Sequence, residues 1–243
     1  MAKQGLLYER PRPVAKSWHA DWSVSNDGGF TYAAGLSAAP LAVIEFGVAA
    51  RHHPIVFVEG EAGVSPLALL GLSDNENLSV DAEGKWIGGY IPAFIRRYPF
   101  VLAKDGDTDK FTLCIDEASQ HCNSDGRGEK LFDGEGEPST YLTRMLDLSR
   151  DWERSRQATQ VFCDRLSELD LLVPQKVSIR DAAGNTSLAG GFSAVSRERL
   201  KGLSDEQLGT MMRSGHLEAV LAHLVSLGGL ETLAGRISER RAG

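Results

Sequence analysis

The chain has 243 residues, of which 42% are hydrophobic and 24% charged, values ordinary for one large globular domain or a domain with a helical extension. Its formal net charge of −7 argues against a surface that binds nucleic acid or an anionic membrane. The three cysteines form an odd set without a Cys-x-x-Cys pair, which argues against a disulfide scaffold and indicates a reduced compartment.

No targeting segment and no membrane span is predicted. The N-terminal residues lack the apolar core of a signal peptide. The longest weakly polar stretch, residues 33–50, is interrupted by Pro40, Glu45 and glycines, so it is too broken to cross a bilayer. We therefore expect a cytoplasmic protein.

The first half of the chain predicts a sheet. Residues 1–30 are expected to be an irregular leader with short strands. A helix is predicted from Leu41 to His52, because apolar residues recur there at helical spacing. Short apolar runs and turn residues then predict the strands, a hairpin and one further strand pair. These strands and the hairpin are assigned to residues 55–58, 68–72, 78–90, 100–103 and 111–115.

A long helix is predicted to follow over residues 139–172, with the Ser139 side chain as its cap. Its middle, residues 149–160, is very polar. We expect such a helix to bridge two parts of the fold or to pack on a second subunit.

The C-terminal part predicts a hairpin and helices. The hairpin would turn at 181–185, Ser204 and Gln207 would form a capping box, and a helix would run from His216 to Leu227. The predicted fold class is α+β: a twisted, largely antiparallel sheet with short helices, one long helix and a C-terminal helical part. After the leader 1–30, a single domain is expected over 31–243, divided into a sheet-rich part (31–138), the long helix (139–172), and the hairpin with helices (173–243).

The segment from Tyr90 to Phe100 carries the candidate binding residues. Its adjacent arginines lie in an apolar context, so they need partners if they are buried. A sheet could bring them together with nearby acids and tyrosines to bind an anionic ligand or a peptide carboxylate. The alternative is a structural ion-pair network that holds helix to sheet. The candidate ligand-binding residues are Glu45, Tyr90, Arg96, Arg97, Tyr98, Asp116 and Glu117.

The sequence offers three metal alternatives, of which a calcium loop at Asp105 to Asp116 and a zinc fragment at Cys114, His121 and Cys122 lack the remaining ligands. The third is an iron site. His19 and Asp21 have the His-x-Asp spacing of a non-haem iron site, with His216 or His223 as a distal ligand. Such a pair normally follows several barrel strands, whereas this one lies near the start of the chain. A hydrogen-bonded histidine is therefore the preferred interpretation, and no metal is predicted. No nucleophile or phosphate-loop motif is present either, so catalytic residues and cofactors stay open.

Several segments, taken in order, resemble the bacterial SapC family. They cover most of the chain after about residue 19. The resembling segments are 45–46, 54–57, the stretch around Trp86, 90–100, 114–117, 132–133 with 136–139, 156–162 and 222–227.

The resemblance implies a role in exporting or assembling a bacterial surface-layer protein. Members are often labelled peptide-transporter permeases, a label that the lack of a predicted span contradicts. We therefore expect a soluble accessory protein that binds a protein partner, a second copy of itself or a small ligand in a cell-envelope pathway. The alternative is an enzyme of unknown class, with a site near Arg96 and Arg97 or a metal site at His19 and Asp21.

Overall fold

The computed structural model describes residues 7–61, 63–104, 110–180 and 186–242 of the chain. The α-helices of this part are α1 (Lys16–His19), α2 (Phe46–Ala49), α3 (Ala93–Arg96), α4 (Thr140–Glu168), α5 (Arg197–Lys201), α6 (Asp205–Arg213), α7 (His216–Ser226) and α8 (Gly229–Ala242). Short 3₁₀ helices occupy Thr31–Ala33 and Val43–Glu45. The strands are β1 (Pro11–Pro13), β2 (Ser23–Val24), β3 (Ala38–Pro40), β4 (Ile55–Gly60), β5 (Gly63–Leu69), β6 (Phe100–Lys104), β7 (Phe111–Asp116), β8 (Cys122–Asn123), β9 (Glu129–Lys130), β10 (Leu172–Arg180) and β11 (Thr186–Val195).

The fold is α+β with antiparallel sheets, which confirms the predicted class. The strands are divided among three sheets, with the orders β10-β11-β4-β5-β3, β1-β7-β6 and β8-β2-β9. The predicted pairing of β6 with β7 is confirmed, with Phe100 opposite Ile115. The strands of residues 40–118 nevertheless do not form one sheet. β4 and β5 belong to the five-stranded sheet, in which β11 pairs with β4, whereas β6 and β7 belong to a separate sheet, in which β1 pairs with β7. The turns predicted at 105–109 and 181–185 lie outside the described residues.

The N-terminal residues contribute strands to two sheets. β1 pairs with β7 and places Pro11 opposite Asp116, while β2 lies between β8 and β9. The segment between β7 and α4, residues 119–138, contains the two short strands β8 and β9. Backbone pairing of this kind satisfies amide and carbonyl groups that a free leader would leave to water.

Three local predictions from the first half need correction. The strand predicted at 68–72 begins and ends earlier, since β5 runs from Gly63 to Leu69. The helix predicted from Leu41 to His52 is divided into the 3₁₀ helix Val43–Glu45 and the single turn α2. The hairpin predicted at 78–90 is reduced to one bridge between Val80 and Trp86. Its turn does form, because the Asp81 carboxylate accepts hydrogen bonds from two backbone amides of the turn, but the strands do not extend beyond the bridge.

Helix α4 crosses the molecule, and this position accounts for the polar residues in the middle of the helix. Its Ser139 cap is confirmed, since the side chain accepts a hydrogen bond from the Leu142 amide at 3.1 Å. The predicted end at residue 172 is wrong: α4 ends at Glu168, and Leu172 already starts β10. Its buried side chains belong to three separate hydrophobic clusters, represented by Met145, Trp152 and Phe162. The helix therefore bridges parts of the fold.

The C-terminal helices close one side of the five-stranded sheet. The capping box of Ser204 and Gln207 is confirmed by reciprocal hydrogen bonds of 2.9 and 3.2 Å. Residues of α7, such as Val220 and Leu224, pack in the cluster that contains Ile55 of β4. α7 is also held by hydrogen bonds that involve polar side chains of the helix and backbone groups of β4 and β11.

One described stretch has the length and composition of a membrane span. It runs from His216 to Ile237, has a mean hydropathy of 1.3 in its most apolar window, and 33% of that window is buried in the fold. It comprises α7 and most of α8. This stretch was not predicted from the sequence, where the longest weakly polar run lies at residues 33–50. The core helices of soluble proteins share this length and composition.

Candidate functional site

The glutamate predicted as a binding residue is buried at the start of α3. Glu45 is 5% exposed and ends the 3₁₀ helix that precedes α2. Its Oε2 accepts a hydrogen bond from the Ala42 amide at 2.9 Å, and its Oε1 accepts one from the Ala93 amide at 2.8 Å. The carboxylate thus joins two short helices, each of which has an otherwise unsatisfied amide at its start.

Tyr90 and Arg96 extend this network to the surface. The Tyr90 hydroxyl donates to Glu45 Oε1 at 2.7 Å, and Arg96 Nη2 donates to the Tyr90 oxygen at 3.2 Å. Arg96 Nε also donates to the Ile91 carbonyl at 3.0 Å. Burial, followed by the bond to Glu45, raises the pKa of Tyr90 to about 12, so the phenol stays protonated. The structure therefore brings three of the seven predicted side chains together.

Asp116 and Glu117 bind the N-terminal segment instead. Asp116 is 1% exposed and accepts hydrogen bonds from the amides of Glu9 and Arg10 at 3.0 and 2.8 Å. Glu117 forms ion pairs with Arg10 and Arg12 at 3.2 and 3.3 Å. Neither acid pairs with Arg96 or Arg97 among the described residues. These two carboxylates fasten β1 to β7.

Arg97 lies on the buried side of α3. It is 1% exposed, and its guanidinium carbon lies 4.1 Å from the Trp152 ring centre and 5.0 Å from that of Phe94. Burial lowers the pKa of Arg97, while Tyr8 and Glu153 act in the opposite direction. Its Nε and Nη2 atoms make no hydrogen bond to any described residue. Arg96 and Arg97 therefore face different surroundings despite being adjacent.

Tyr98 lines an aromatic cavity of about 380 Å3 that sequence reasoning missed. The Tyr98 ring stacks on Tyr32 with centres 4.1 Å apart, and the His121 ring meets both edge-on at 5.4 and 5.9 Å. Phe30 and Arg96 also line this cavity. In the sequence, the aromatic residues Phe30 and Tyr32 are the feature that could have indicated this cavity. No local pattern links them to residues 98 and 121.

His121 is the buried polar group of this cavity. It is 4% exposed, and its Nδ1 lies 2.8 Å from the Ser25 carbonyl oxygen, so this nitrogen carries the hydrogen. Its Nε2 has no hydrogen-bond partner among the described residues. The ring thus presents one unused polar atom in an aromatic wall. Such a combination is typical of small-molecule sites, which are mostly apolar with a few placed polar groups.

The metal alternative finds no support in the geometry. His19 is fully buried, with Nδ1 accepting from the Ala15 amide at 3.2 Å and Nε2 lying 3.4 Å from Glu117 Oε1. Asp21 is exposed. Within the described ranges, no group of three or more His, Cys, Asp or Glu side chains is arranged to hold a metal ion. The preferred interpretation of His19 as a hydrogen-bonded histidine agrees with its contacts.

Comparisons with known proteins identify a family and nothing closer. Neither the curated proteins nor the solved structures give a match to this chain. The SapC family model matches residues 14–233, which include every element from α1 to α7, the Glu45 network and the aromatic cavity. The chain belongs to the SapC family.

Proposed function

We propose that this protein is a cytoplasmic accessory protein that binds a small planar ligand with an acidic group in the cavity of Tyr32, Tyr98 and His121. The cavity carries the proposal. Its volume of about 380 Å3 falls within the range of ordinary ligand pockets, and its wall combines aromatic rings with a cationic side chain. A role in a cell-envelope or surface-layer export pathway belongs to the same proposal and rests on the family resemblance.

The aromatic wall favours a planar ligand. The stacked rings of Tyr32 and Tyr98 are held in place, because the Tyr32 hydroxyl donates to the Ile95 carbonyl at 3.1 Å and Tyr8 packs 5.6 Å from Tyr98. Fixed rings lose little conformational entropy when a second ring packs on them. The unused Nε2 of His121 can accept a hydrogen bond from a hydroxyl or amine of the ligand.

Arg96 favours an acidic group on that ligand. The side chain is exposed, lines the cavity, and is oriented by its bonds to Ile91 and Tyr90. Its Nη1 donors make no bond to any described residue, so they are available to a carboxylate, sulfonate or phosphate. An arginine whose position is already fixed loses less side-chain freedom on binding.

An enzyme at the same cavity is less well supported. A nucleophile or general base needs a pKa near the working pH. Burial raises the pKa of Tyr98 to about 12, and it raises that of the Cys122 thiol behind it to about 12. Both groups therefore stay protonated at neutral pH, so neither is an activated nucleophile, and ligand binding is the simpler function.

Fluorescence titration with the planar anionic probe 1-anilinonaphthalene-8-sulfonate tests the proposal. Arg96→Met should weaken binding about tenfold, since one charge-assisted hydrogen bond is lost. Tyr98→Ala should weaken it further by removing the stacking surface. Arg144→Met is the matched control, because Arg144 lies over Tyr141 and outside the cavity wall. Equal affinity in all four proteins would overturn the proposal.

A second candidate function is self-association. Five large apolar side chains are 50–78% exposed on elements that pack on one another: Ile44, Val161, Met212, Leu221 and Val225. Exposed apolar side chains of this size suit a permanent partner, and we place a second copy of this chain there. The exposed side of α4, by contrast, carries ion pairs three residues apart. Truncating α4 would also remove core residues, so surface substitution is the better test.

Light scattering after size exclusion measures this association. We expect the wild-type mass to exceed the 26.3 kDa of one chain, and the double variant Leu221→Glu with Val225→Glu to return it to that value. Phe111→Glu, at an exposed apolar position on β7, is the control that should leave the mass unchanged. A monomeric wild-type protein would refute the second candidate.

A further inference from the structure

We infer that Arg97, Ser149 and Trp152 form a buried site for a small oxyanion, separate from the aromatic cavity. Arg97 packs on Trp152 of α4, and Ser149 lies one turn before Trp152 on the same helix. Arg97, Ser149 and Trp152 are 1%, 0% and 7% exposed, respectively. Ser149 and Trp152 lie three residues apart, on one face of α4, and the guanidinium of Arg97 stacks on the Trp152 ring at 4.1 Å.

Arg97 is a buried charge without a counter-charge. An arginine stays protonated in a protein, and a buried ion without a partner is strongly destabilising. No carboxylate of the described residues lies within ion-pair distance of it. Glu153, an acid that raises its pKa, is bound by Arg156, with 2.6 Å between Nη2 and Oε1. The Tyr8 hydroxyl donates its hydrogen to the Phe100 carbonyl at 2.9 Å and can accept a hydrogen bond from the guanidinium, but this phenol is neutral and supplies no counter-charge.

The groups beside Arg97 supply further donors. Trp152 Nε1 can only donate a hydrogen bond, and Ser149 Oγ carries a hydroxyl hydrogen. Both atoms are buried and have no partner among the described residues, as is true of Arg97 Nε and Nη2. Four polar atoms of three side chains are thus unsatisfied, and each can donate. An anion satisfies this arrangement and also neutralises the guanidinium, which a water molecule cannot do.

The burial of the three side chains limits the size of the occupant. With at most 7% exposure, they leave no access for a large ligand. The guanidinium packs on the rings of Phe94 and Trp152, whose centres lie 6.1 Å apart, so its planar fork is oriented before anything binds. A forked donor set of this kind matches the oxygens of a small oxyanion such as phosphate.

Thermal unfolding of the full chain in sodium phosphate, compared with sodium chloride at equal ionic strength, tests the site. Binding to the folded state raises the melting temperature by mass action. The phosphate-specific rise in wild-type protein should exceed that of Arg97→Met by about 3 °C or more. Arg144→Met, at an exposed arginine over Tyr141 that lines neither site, is the control and should keep the wild-type response. Comparing variants removes the general stabilisation that phosphate gives to many proteins.

Two milder variants keep the test decisive if Arg97→Met does not fold. Ser149→Ala removes one donor with little change of shape, and Trp152→Phe removes the indole N–H donor while keeping an aromatic ring. Both should reduce the phosphate response while leaving probe binding in the aromatic cavity unchanged. An undiminished response in these two variants, or in Arg97→Met, would overturn the inference, as would a wild-type protein that responds equally to both salts.

Discussion

Replacing His223 with phenylalanine is expected to lower the free energy of unfolding by about 3 kcal/mol or more. His223 is fully buried, its Nε2 accepts from the Val195 amide at 3.0 Å, and its Nδ1 donates to the Ile55 carbonyl at 2.9 Å. Phenylalanine fills the space but leaves a buried amide and a buried carbonyl unpaired, each costing about 1–3 kcal/mol. Equilibrium unfolding in urea measures the change. His52→Ala, at an exposed position, should shift stability by less than about 0.5 kcal/mol.

The same histidine predicts a pH dependence. Burial lowers the pKa of His223 from 6.5 to about 4, so the unfolded chain binds its proton at a higher pH than the folded chain does. The stability that His223 contributes is therefore complete above pH 6.5 and is lost as the pH falls toward 4. The stability difference between wild type and His223→Phe should shrink by about 3 kcal/mol over this window. If the stability difference did not change with pH, His223 would not be a neutral ring that makes two hydrogen bonds in the folded protein.

The second large effect is expected at Glu45. Its carboxylate accepts from the Ala42 amide, the Ala93 amide and the Tyr90 hydroxyl within 2.7–2.9 Å. Glu45→Ala leaves two buried amides and the half-buried Tyr90 hydroxyl without their acceptor and should cost about 3 kcal/mol or more of unfolding free energy.

Graded variants separate the hydrogen bonds of Glu45 from the general effect of losing a glutamate. Glu45→Gln keeps one acceptor oxygen and should fall between wild type and Glu45→Ala in the urea experiment. Glu59→Ala removes an exposed carboxylate on β4 and should change stability little. If Glu45→Ala were as stable as Glu59→Ala, the carboxylate would not hold α3 to the preceding 3₁₀ helix.

Features that depend on nearby residues could be predicted from the sequence. The Ser139 cap, the capping box of Ser204 and Gln207, and the pairing of β6 with β7 each follow from residues within a short stretch. The end of α4 could not, because Leu172 fits an amphipathic helix and a strand equally well, and its pairing with Val195 on β11 decides the outcome. Tertiary pairing overrides local preference in such cases.

The candidate site likewise has parts that could be predicted from the sequence and parts that could not. Seven candidate residues were predicted to lie together, and three of them, Glu45, Tyr90 and Arg96, do form one network. Asp116 and Glu117, predicted in the same set, bind the N-terminal segment instead. The burial of Arg97 could not be predicted from the sequence. Neighbouring residues of a short helix point in different directions, so Arg96 is exposed while the adjacent Arg97 is buried. The aromatic cavity joins Phe30 and Tyr32 to Tyr98 and His121, residues far apart in the chain, and no local pattern encodes that proximity.

Native mass spectrometry after incubation with a small-molecule extract of bacterial cells tests the central claim most directly. The account predicts that wild-type protein retains a small organic molecule and that Tyr98→Ala, with the stacking surface of the cavity removed, does not. The Arg144→Met control should retain the same mass. A clean ligand-free mass for the wild type, or an identical adduct on Tyr98→Ala, would contradict the assignment of the aromatic cavity as a ligand site.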